Sequence, residues 1–431
     1  MGNYYLLVWL YIFLLVFPDK VIAQTGLYIP DLQSIDQVIQ EFMKRWDIPG
    51  ASVALSKGGR LIYARGFGWG NRETSTMVTP ENQFRIASLS KPITAIAIMQ
   101  LVQKGKLGLD SLVFGENGIL SDSAYSQIKD PRIKEITVRQ LLQHTAGWDR
   151  NLSGDPMCDP MRIAEAMGVP RPADAVTIIR YALQQPLDFH PGTRFAYSNL
   201  GYSILGRVIE KISGLSYCNY VHTHIFQPLS ISHTVLGESL LSGLNTEEVN
   251  YYPSSGAKKV PSVYKHKERV PSPYGGFHLE AMDAHGGWIA TASDLIRLLT
   301  AVDGFDTRPD LLSQASISAM TEANGNGLPT YALGWCVNER NNWWHSGSLP
   351  GSSATMVRTQ EGLTWCILFN RRSEDGNYFK ELDKLMWQGI REVSTWPSHD
   401  LFEPRTHTNA LSNPTDLQQD PLLVKEDFDS N

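Results

Sequence analysis

A chain of 431 residues is longer than one compact domain usually requires, which predicts two or three structural units. The composition, with 42% hydrophobic and 19% charged residues, is typical of globular proteins and excludes a wholly disordered or fibrous chain. The formal net charge of −6, from 38 basic and 44 acidic residues, provides no basic surface, so we expect no nucleic-acid partner.

The N-terminus carries one uncharged apolar run over residues 6–17, which is shorter than the roughly 20 residues that span a bilayer. Small residues follow over 21–23, so the pattern predicts a secretory signal peptide over residues 1–23, cleaved after Ala23, and a secreted protein. A short signal anchor stays open as the alternative, since residues 1–6 contain no Lys or Arg. No second run of membrane length follows, so we expect no stable membrane span.

The cysteines predict little by themselves. The four of them contain no C-x-x-C pair, which gives no support to a metal or redox site, and we expect no metal or cofactor. In an oxidising compartment Cys158 and Cys218 could pair, a possibility that the sequence leaves open. Asn151 begins the single N-glycosylation sequon.

The predicted elements place strands at both ends of the chain and helices between them. Helical spacing covers residues 32–46, and two strand-like runs at 51–55 and 61–66 are joined by a hairpin signal. Helical patterns then cover 93–103, 138–143, 173–184, 201–212 and 216–226, and strand-like runs return at 332–338, 353–358 and 363–370. This order predicts an α/β (α+β) fold in which both chain ends build an antiparallel sheet flanked by helices, with a mostly helical lobe inserted.

The predicted organisation divides the chain into consecutive parts. The first part of the α/β lobe covers 24–87, the helical lobe covers 88–285, and the second part of the α/β lobe covers 286–398. The segment 244–285 is rich in Tyr, Pro, Ser and Lys without periodicity, which is typical of a long loop that acts as a lid. From residue 401 onward the chain contains six acidic and two basic residues and shows no periodic apolar pattern. We therefore predict that 399–431 is a disordered tail.

The first chemical motif is Ser88-x-x-Lys91 at the start of an apolar helix. Residues three apart on a helix are neighbours, and a lysine at the mouth of a buried helix can lose its proton and act as a base. The pattern occurs three more times, at Ser126/Lys129, Ser255/Lys258 and Ser262/Lys265, but these pairs lie in polar segments. We therefore predict Ser88 as nucleophile and Lys91 as its base.

Two further motifs contain candidate site residues. In Tyr197-x-Asn199 a phenol beside a lysine can have its pKa lowered and act as a base, and an amide can hold a substrate carbonyl. In the third motif His345 and Gly347 precede Ser348, and a glycine-containing strand lets a substrate lie against backbone N–H groups. Each of these short patterns also occurs elsewhere in the chain, and we call those further copies decoys.

The order Ser-x-x-Lys, Tyr-x-Asn, His-x-Gly resembles the serine β-lactamase and penicillin-binding-protein superfamily, class C-like, in its esterase and D-aminopeptidase branch. Segments 48–53, 141–147, 201–206, 286–295 and 331–335 are similar to the framework of that family. The resemblance covers about residues 35–392.

The resemblance implies an acyl-enzyme on Ser88, with Lys91 and Tyr197 sharing its proton and Asn199 orienting the substrate carbonyl. It implies an oxyanion hole from the N–H groups of Ser88 and Ser348. Most β-lactamases carry lysine where this chain has His345, and a neutral histidine cannot replace that fixed cation, so an ester or amide, including D-amino-acid peptides, is preferred over a β-lactam. The alternative is a non-catalytic scaffold or binding protein of the same fold.

Overall fold

The structure is a computed structural model in which residues 22–322 and 331–403 are described. The strands are β1 (Gln24–Gly26), β2 (Gly50–Lys57), β3 (Arg60–Asn71), β4 (Thr76–Met77), β5 (Phe84–Arg85), β6 (Val235–Leu236), β7 (Val260–Pro261), β8 (Arg269–Val270), β9 (Trp288–Ala290), β10 (Cys336–Val337), β11 (Trp343–Leu349), β12 (Ser352–Arg358) and β13 (Leu363–Phe369). The helices are α1 (Gln33–Arg45), α2 (Ser90–Gln103), α3 (Val138–Leu142), α4 (Pro160–Met167), α5 (Ala175–Leu183), α6 (Asn199–Ser213), α7 (Tyr217–Val221), α8 (Asp283–Gly286), α9 (Ala292–Leu299), α10 (Gln314–Thr321) and α11 (Tyr378–Arg391).

The main sheet joins the two ends of the chain. Its strand order is β1-β3-β2-β13-β12-β11-β10, with β4 paired to β3, and every pair is antiparallel. Strand β13 pairs with β2 over seven residues, from Leu363 opposite Lys57 to Phe369 opposite Ala51. The predicted fold class, an antiparallel sheet built from both chain ends, is therefore confirmed.

Side chains alternate along each strand, so the sheet has two faces that carry apolar side chains, and helices cover both of them. In β13, Trp365 and Ile367 pack on the face that α1 and α11 cover, whereas Cys366 and Leu368 belong to the larger core on the other face. Helix α9 contacts β2, β3 and β13, and α2, which lies in the larger core, contacts α6. The result is an α/β/α arrangement.

Helix α2, which begins two residues after Ser88, is buried on all sides. Its residues Ser90–Leu101 are all buried, as expected for a helix in the middle of a core. Pro92 lies in the first turn, where a missing N–H costs no hydrogen bond. The predicted helices at 93–103, 138–143, 173–184 and 201–212 match α2, α3, α5 and α6, and α7 continues as a π-helix (His222–Phe226), so that the pair matches 216–226.

The structure corrects some of the predicted elements and decides a cysteine pairing that the sequence left open. Only Cys336 and Val337 form a strand within the predicted run 332–338, and α4, α8, α9, α10 and α11 were not predicted. Cys158 and Cys218 do not pair, since all four cysteines are free. The first residues of the predicted tail are ordered, because the N–H of Leu401 donates to the carbonyl of Leu61 at 2.7 Å.

Several predictions fall on parts of the chain that the structure leaves out. Residues 1–21 of the predicted signal peptide and residues 404–431 of the predicted tail lie outside the described residues. Within the described ranges no helix is both long and apolar enough to cross a membrane. The division into two lobes stays a prediction.

Candidate active site

Ser88 lies in a strained turn between β5 and α2. It is the middle residue of a 3-10 helix, Ala87–Leu89, and it is partly exposed, whereas its two neighbours are buried. Ala87 has a φ of +50°, a left-handed conformation that is uncommon for a residue with a Cβ. Because the first N–H groups of a helix have no acceptor within it, the N–H of Ser88 has no partner inside this short helix.

Lys91, at the second position of α2, is fully buried beside Ser88. Its Nζ donates to Ser88 Oγ at 3.1 Å, to Asn199 Oδ1 at 2.7 Å and to the carbonyl of His285 at 2.9 Å. Burial lowers the pKa of Lys91 from 10.5 to about 7; Asp155 opposes this shift and Arg150 adds to it. A lysine with this pKa is half deprotonated near neutral pH and can accept the proton of a hydroxyl 3.1 Å away.

The serines of the three decoy pairs bind elsewhere. Ser126 Oγ donates to the carbonyl of Ser123, and Ser255 Oγ donates to Asp47. Ser262 Oγ accepts the backbone N–H of Lys265 and not its ammonium group. The apolar context therefore distinguished the Ser88 motif from its decoys.

The segment that carries Tyr197 is held from both sides. Ser198 caps α6, its Oγ accepting the N–H of Gly201 at 3.3 Å, so that Asn199 begins the helix. The N–H of Ser198 donates to His144 Nδ1 at 3.1 Å, and the rings of His144 and Tyr197 lie 4.3 Å apart. These contacts hold the Tyr197 ring 4.9 Å from Lys91 Nζ.

The expectation of a lowered pKa for Tyr197 was wrong. Burial raises the pKa of Tyr197 above its ordinary value of 10, although a hydrogen bond with Ser88 opposes that shift. Since the pKa of Lys91 lies near 7, the lysine loses its proton long before the phenol does. Of these two groups, Lys91 is therefore the one that can act as a base at neutral pH.

The side chain of Asn199 lies between the amino group of Lys91 and the carboxylate of Asp155. Its Oδ1 accepts from Lys91, and its Nδ2 donates to Asp155 Oδ2 at 2.6 Å. The other carboxylate oxygen of Asp155 accepts the N–H of Met157 at 3.0 Å. Asp155 thus fixes which side of the Asn199 amide faces Lys91.

Strand β11 packs directly on the turn that contains Ser88. A Cβ added to Gly347 would lie 2.2 Å from the carbonyl oxygen of Ile86, so only glycine permits this approach. Strand β10 pairs with β11 only at Trp343 and Trp344, so the part of that edge beyond Trp344 has no partner strand among the described residues. Ser348 lies on this part of β11, where Arg372 Nη1 donates to its Oγ at 2.7 Å.

His345 is buried and neutral. Its Nδ1 lies 2.8 Å from the carbonyl of Ser346, which can only accept, so Nδ1 carries the proton and Nε2 accepts from the hydroxyl of Tyr331 at 3.0 Å. Burial, assisted by the charge of Lys91, lowers the pKa of His345 to about 3. The position therefore carries no cation at any pH at which Lys91 is a base.

A pocket of about 550 Å³ opens above these groups. It is lined by Ser88, Arg150, Phe195, Tyr197, Asn199, Tyr331, Cys336, Trp344, His345, Ser346, Gly347, Ser348 and Phe379. Six of the seven predicted site residues line it, and the seventh, Lys91, lies beneath Ser88. None of the lining residues belongs to 244–285, although His285 of that segment accepts from Lys91, so the role of this segment as a lid stays a prediction. Within the described ranges no three His, Cys, Asp or Glu side chains group to hold a metal ion.

Three residues of the site were not assigned from the sequence. His144 holds the Tyr197 segment, Asp155 holds Asn199, and His285 offers its carbonyl to Lys91. His144 lies in the segment 141–147 that carried the family resemblance, so a weak signal existed for it, whereas His285 falls just before the segment 286–295. Asp155 had none, because its role depends on a contact with a residue 44 positions away.

Comparisons with known proteins agree with this geometry. Residues 35–385 match the family described as Beta-lactamase, and the chain therefore belongs to the β-lactamase family. Protein flp of Staphylococcus aureus strain MW2 is 25% identical over 352 residues, which cover 79% of this chain and 64% of flp. Penicillin-binding protein 4* of Bacillus subtilis strain 168 is 27% identical over 335 residues, covering 76% of this chain and 69% of that protein. The chain thus spans less than two thirds of the length of flp.

Solved structures share the fold. The D-amino acid amidase from Ochrobactrum anthropi SV3 complexed with D-phenylalanine superposes with a TM-score of 0.66 at 21% identity, covering 84% of this chain and 99% of the amidase. The octameric penicillin-binding protein homologue from Pyrococcus abyssi superposes with a TM-score of 0.64 at 24% identity, covering 84% of this chain and 79% of that one.

Proposed function

We propose that this protein is a serine hydrolase that forms an acyl-enzyme on Ser88 and acts on ester or amide substrates. The observation that carries the proposal is the 3.1 Å contact between Ser88 Oγ and Lys91 Nζ, in a setting that brings the pKa of that lysine to about 7. A serine hydroxyl becomes a nucleophile when a group within hydrogen-bond distance can accept its proton. Lys91 lies within that distance, and its pKa allows it to accept a proton at neutral pH.

The reaction follows from these positions. Neutral Lys91 takes the proton as Ser88 Oγ attacks the substrate carbonyl, and the oxyanion is held by the N–H groups of Ser88 and Ser348. Lys91 then returns the proton to the leaving group, with the Tyr197 hydroxyl as relay, and the leaving group departs from the acyl-enzyme. A water molecule attacks the acyl ester, its proton passes to Lys91, and Ser88 leaves with that proton.

The neutral state of His345 favours esters and amides over β-lactams. A fixed cation at this position would bind the carboxylate of a β-lactam, whereas a buried imidazole with a pKa of about 3 cannot. The fold shared with a D-amino acid amidase makes D-amino-acid amides and peptides a further candidate class. A non-catalytic scaffold is the alternative, but the close packing of Ser88, Lys91 and Tyr197 opposes it.

The test is a substrate panel with matched variants. We expect 4-nitrophenyl butyrate or a D-amino-acid amide to be turned over faster than nitrocefin, and intact-mass spectrometry to detect one acyl group per chain. Ser88→Ala abolishes both signals, whereas Ser126→Ala, which alters a decoy motif, retains them. Lys91→Ala slows acylation by at least about 100-fold, the lower range for a positioned base. A near-normal rate in Lys91→Ala would assign the base role to Tyr197, and no turnover of any substrate would favour the scaffold.

We further propose that a signal peptide, residues 1–23, is cleaved after Ala23 and that the protein is secreted. Cleavage there leaves Gln24, the first residue of β1, as the new N-terminus. Asn151 of the sequon is exposed and accessible to a glycosyltransferase. N-terminal sequencing of protein from the medium should begin at Gln24, and a glycosidase should lower its mass. A cell-bound chain that retains residues 1–23 would instead indicate the signal anchor.

A further inference from the structure

The pocket combines an aromatic wall with a single fixed charge. Phe195, Tyr331, Trp344 and Phe379 line it from three separate parts of the chain. Arg150 is the one arginine, lysine, aspartate or glutamate among the described lining residues, so it supplies the single formal charge of that lining. Such a surface is suited to a substrate with an apolar body and one charged group.

The guanidinium of Arg150 has no ion-pair partner among the described residues, although the Asp149 carboxylate interacts with it at longer range. The side chain is exposed, and in residues 22–322 and 331–403 it forms neither an ion pair nor a hydrogen bond; its contact is with the Tyr197 ring, 4.9 Å from the guanidinium carbon. The adjacent carboxylate of Asp149 is bound by Arg194 at 2.7 Å. The Asp155 carboxylate is occupied by Asn199. A guanidinium left with free donors at a pocket rim is suited to bind an anion.

The position of Arg150 places this anion near the reacting atoms. Arg150 and Lys91 each lie 4.9 Å from the centre of the same Tyr197 ring, so the two cations are at most about 10 Å apart. Lys91 in turn contacts Ser88. A carboxylate bound to Arg150 and a carbonyl bound at Ser88 can therefore belong to the same small substrate.

We propose that Arg150 is a specificity-determining residue that binds a carboxylate carried by the ester or amide substrate. The proposal rests on the proposed hydrolase function and names its substrate class. It differs from carboxylate binding at position 345, because His345 is neutral and Arg150 belongs to the connection between α3 and α4. Among the candidate substrates it ranks D-amino-acid amides with a free ammonium group below esters and amides that carry a carboxylate, since Arg150 would repel the ammonium group.

The test compares charged esters with neutral counterparts. Mono-4-nitrophenyl adipate carries the carboxylate on the acyl side, and 3-carboxy-4-nitrophenyl butyrate carries it on the leaving group; the references are 4-nitrophenyl methyl adipate and 4-nitrophenyl butyrate. The readout is the ratio of kcat/KM for each charged ester to that of its reference. We expect Arg150→Gln to lower this ratio about 10- to 100-fold for one of the two pairs, as for the loss of a charged hydrogen bond. Arg150→Lys should retain part of the preference.

The matched control is Arg180→Gln, an exposed arginine on α5 that is not among the lining residues. It should leave both ratios unchanged, and added salt should lower the affected wild-type ratio because it screens an exposed charge. Ratios that are equal in wild type and Arg150→Gln for both pairs would overturn the proposal.

A binding measurement separates this proposal from the hydrolase itself. Adipic acid monoanilide, titrated into Ser88→Ala by calorimetry, should bind more weakly when Arg150→Gln is added to that variant. Absence of turnover in wild type together with this difference would refute the hydrolase and retain the anion site. Turnover without any difference in ratio or binding would retain the hydrolase and refute the anion site.

Discussion

Replacing Lys91 by methionine should remove a pH dependence of stability near neutral pH, because the charged form of the buried lysine opposes folding. The unfolded chain holds the lysine proton up to about pH 10.5, whereas the folded chain releases it near pH 7. In this window the unfolded state binds more protons, so wild-type stability rises with pH. At about 1.36 kcal/mol per pKa unit, the full penalty below pH 7 is roughly 5 kcal/mol, and roughly 3 kcal/mol of it disappears between pH 7 and 9.5. Methionine is unbranched, of similar length and uncharged, so the variant lacks this dependence.

The assay is urea unfolding of wild type and Lys91→Met at pH 7 and pH 9.5. The lost hydrogen bonds to Asn199 and His285 offset the two curves by a constant amount, so the diagnostic quantity is the change in their difference with pH. The control is Lys258→Met, which removes an exposed lysine from a decoy motif and should follow wild type. Parallel pH curves for wild type and Lys91→Met would refute the assignment of Lys91 as a neutral base.

Three further results are expected from the same site. The pH profile of kcat/KM should rise through about pH 7 as Lys91 loses its proton, and a rate independent of pH between 5 and 9 would contradict this. Asp155→Asn should move this rise to lower pH and Arg150→Gln to higher pH, because the two charges act on Lys91 in opposite directions; shifts of the same sign would contradict the electrostatics. Gly347→Ala should lower kcat by at least about 100-fold, the effect of losing an oxyanion donor, because the new Cβ pushes β11 away from Ile86. Unchanged kinetics in Gly347→Ala would show that the close packing of β11 on Ile86 is not needed for catalysis.

Local patterns were sufficient to predict part of the site. Ser88 and Lys91 are three residues apart, and the apolar run behind them indicated that the lysine is buried, so their contact and the burial of Lys91 could both be predicted from the sequence. The helical pattern predicted over 201–212 matches most of α6, which begins at Asn199 directly after Tyr197 and Ser198. In the main sheet, the hairpin signal between β2 and β3 gave the correct pairing.

Other features depend on contacts that no local pattern contains. The raised pKa of Tyr197 results from protein packed around the phenol, whereas the sequence suggested only that a lysine lies near. The role of Asp155 requires the fold to bring it to Asn199. The segment 244–285 has the composition of a lid, but no residue of it lines the pocket in the described structure.

The central claim, that Ser88 is an activated nucleophile, is tested most directly by a fluorophosphonate probe followed by peptide mass spectrometry. Wild type should carry one adduct, on the peptide that contains Ser88, and labelling should follow the same rise through about pH 7 as turnover. The serines of the decoy motifs, such as Ser126, should stay unlabelled. A folded wild-type protein without an adduct on Ser88 would contradict the account.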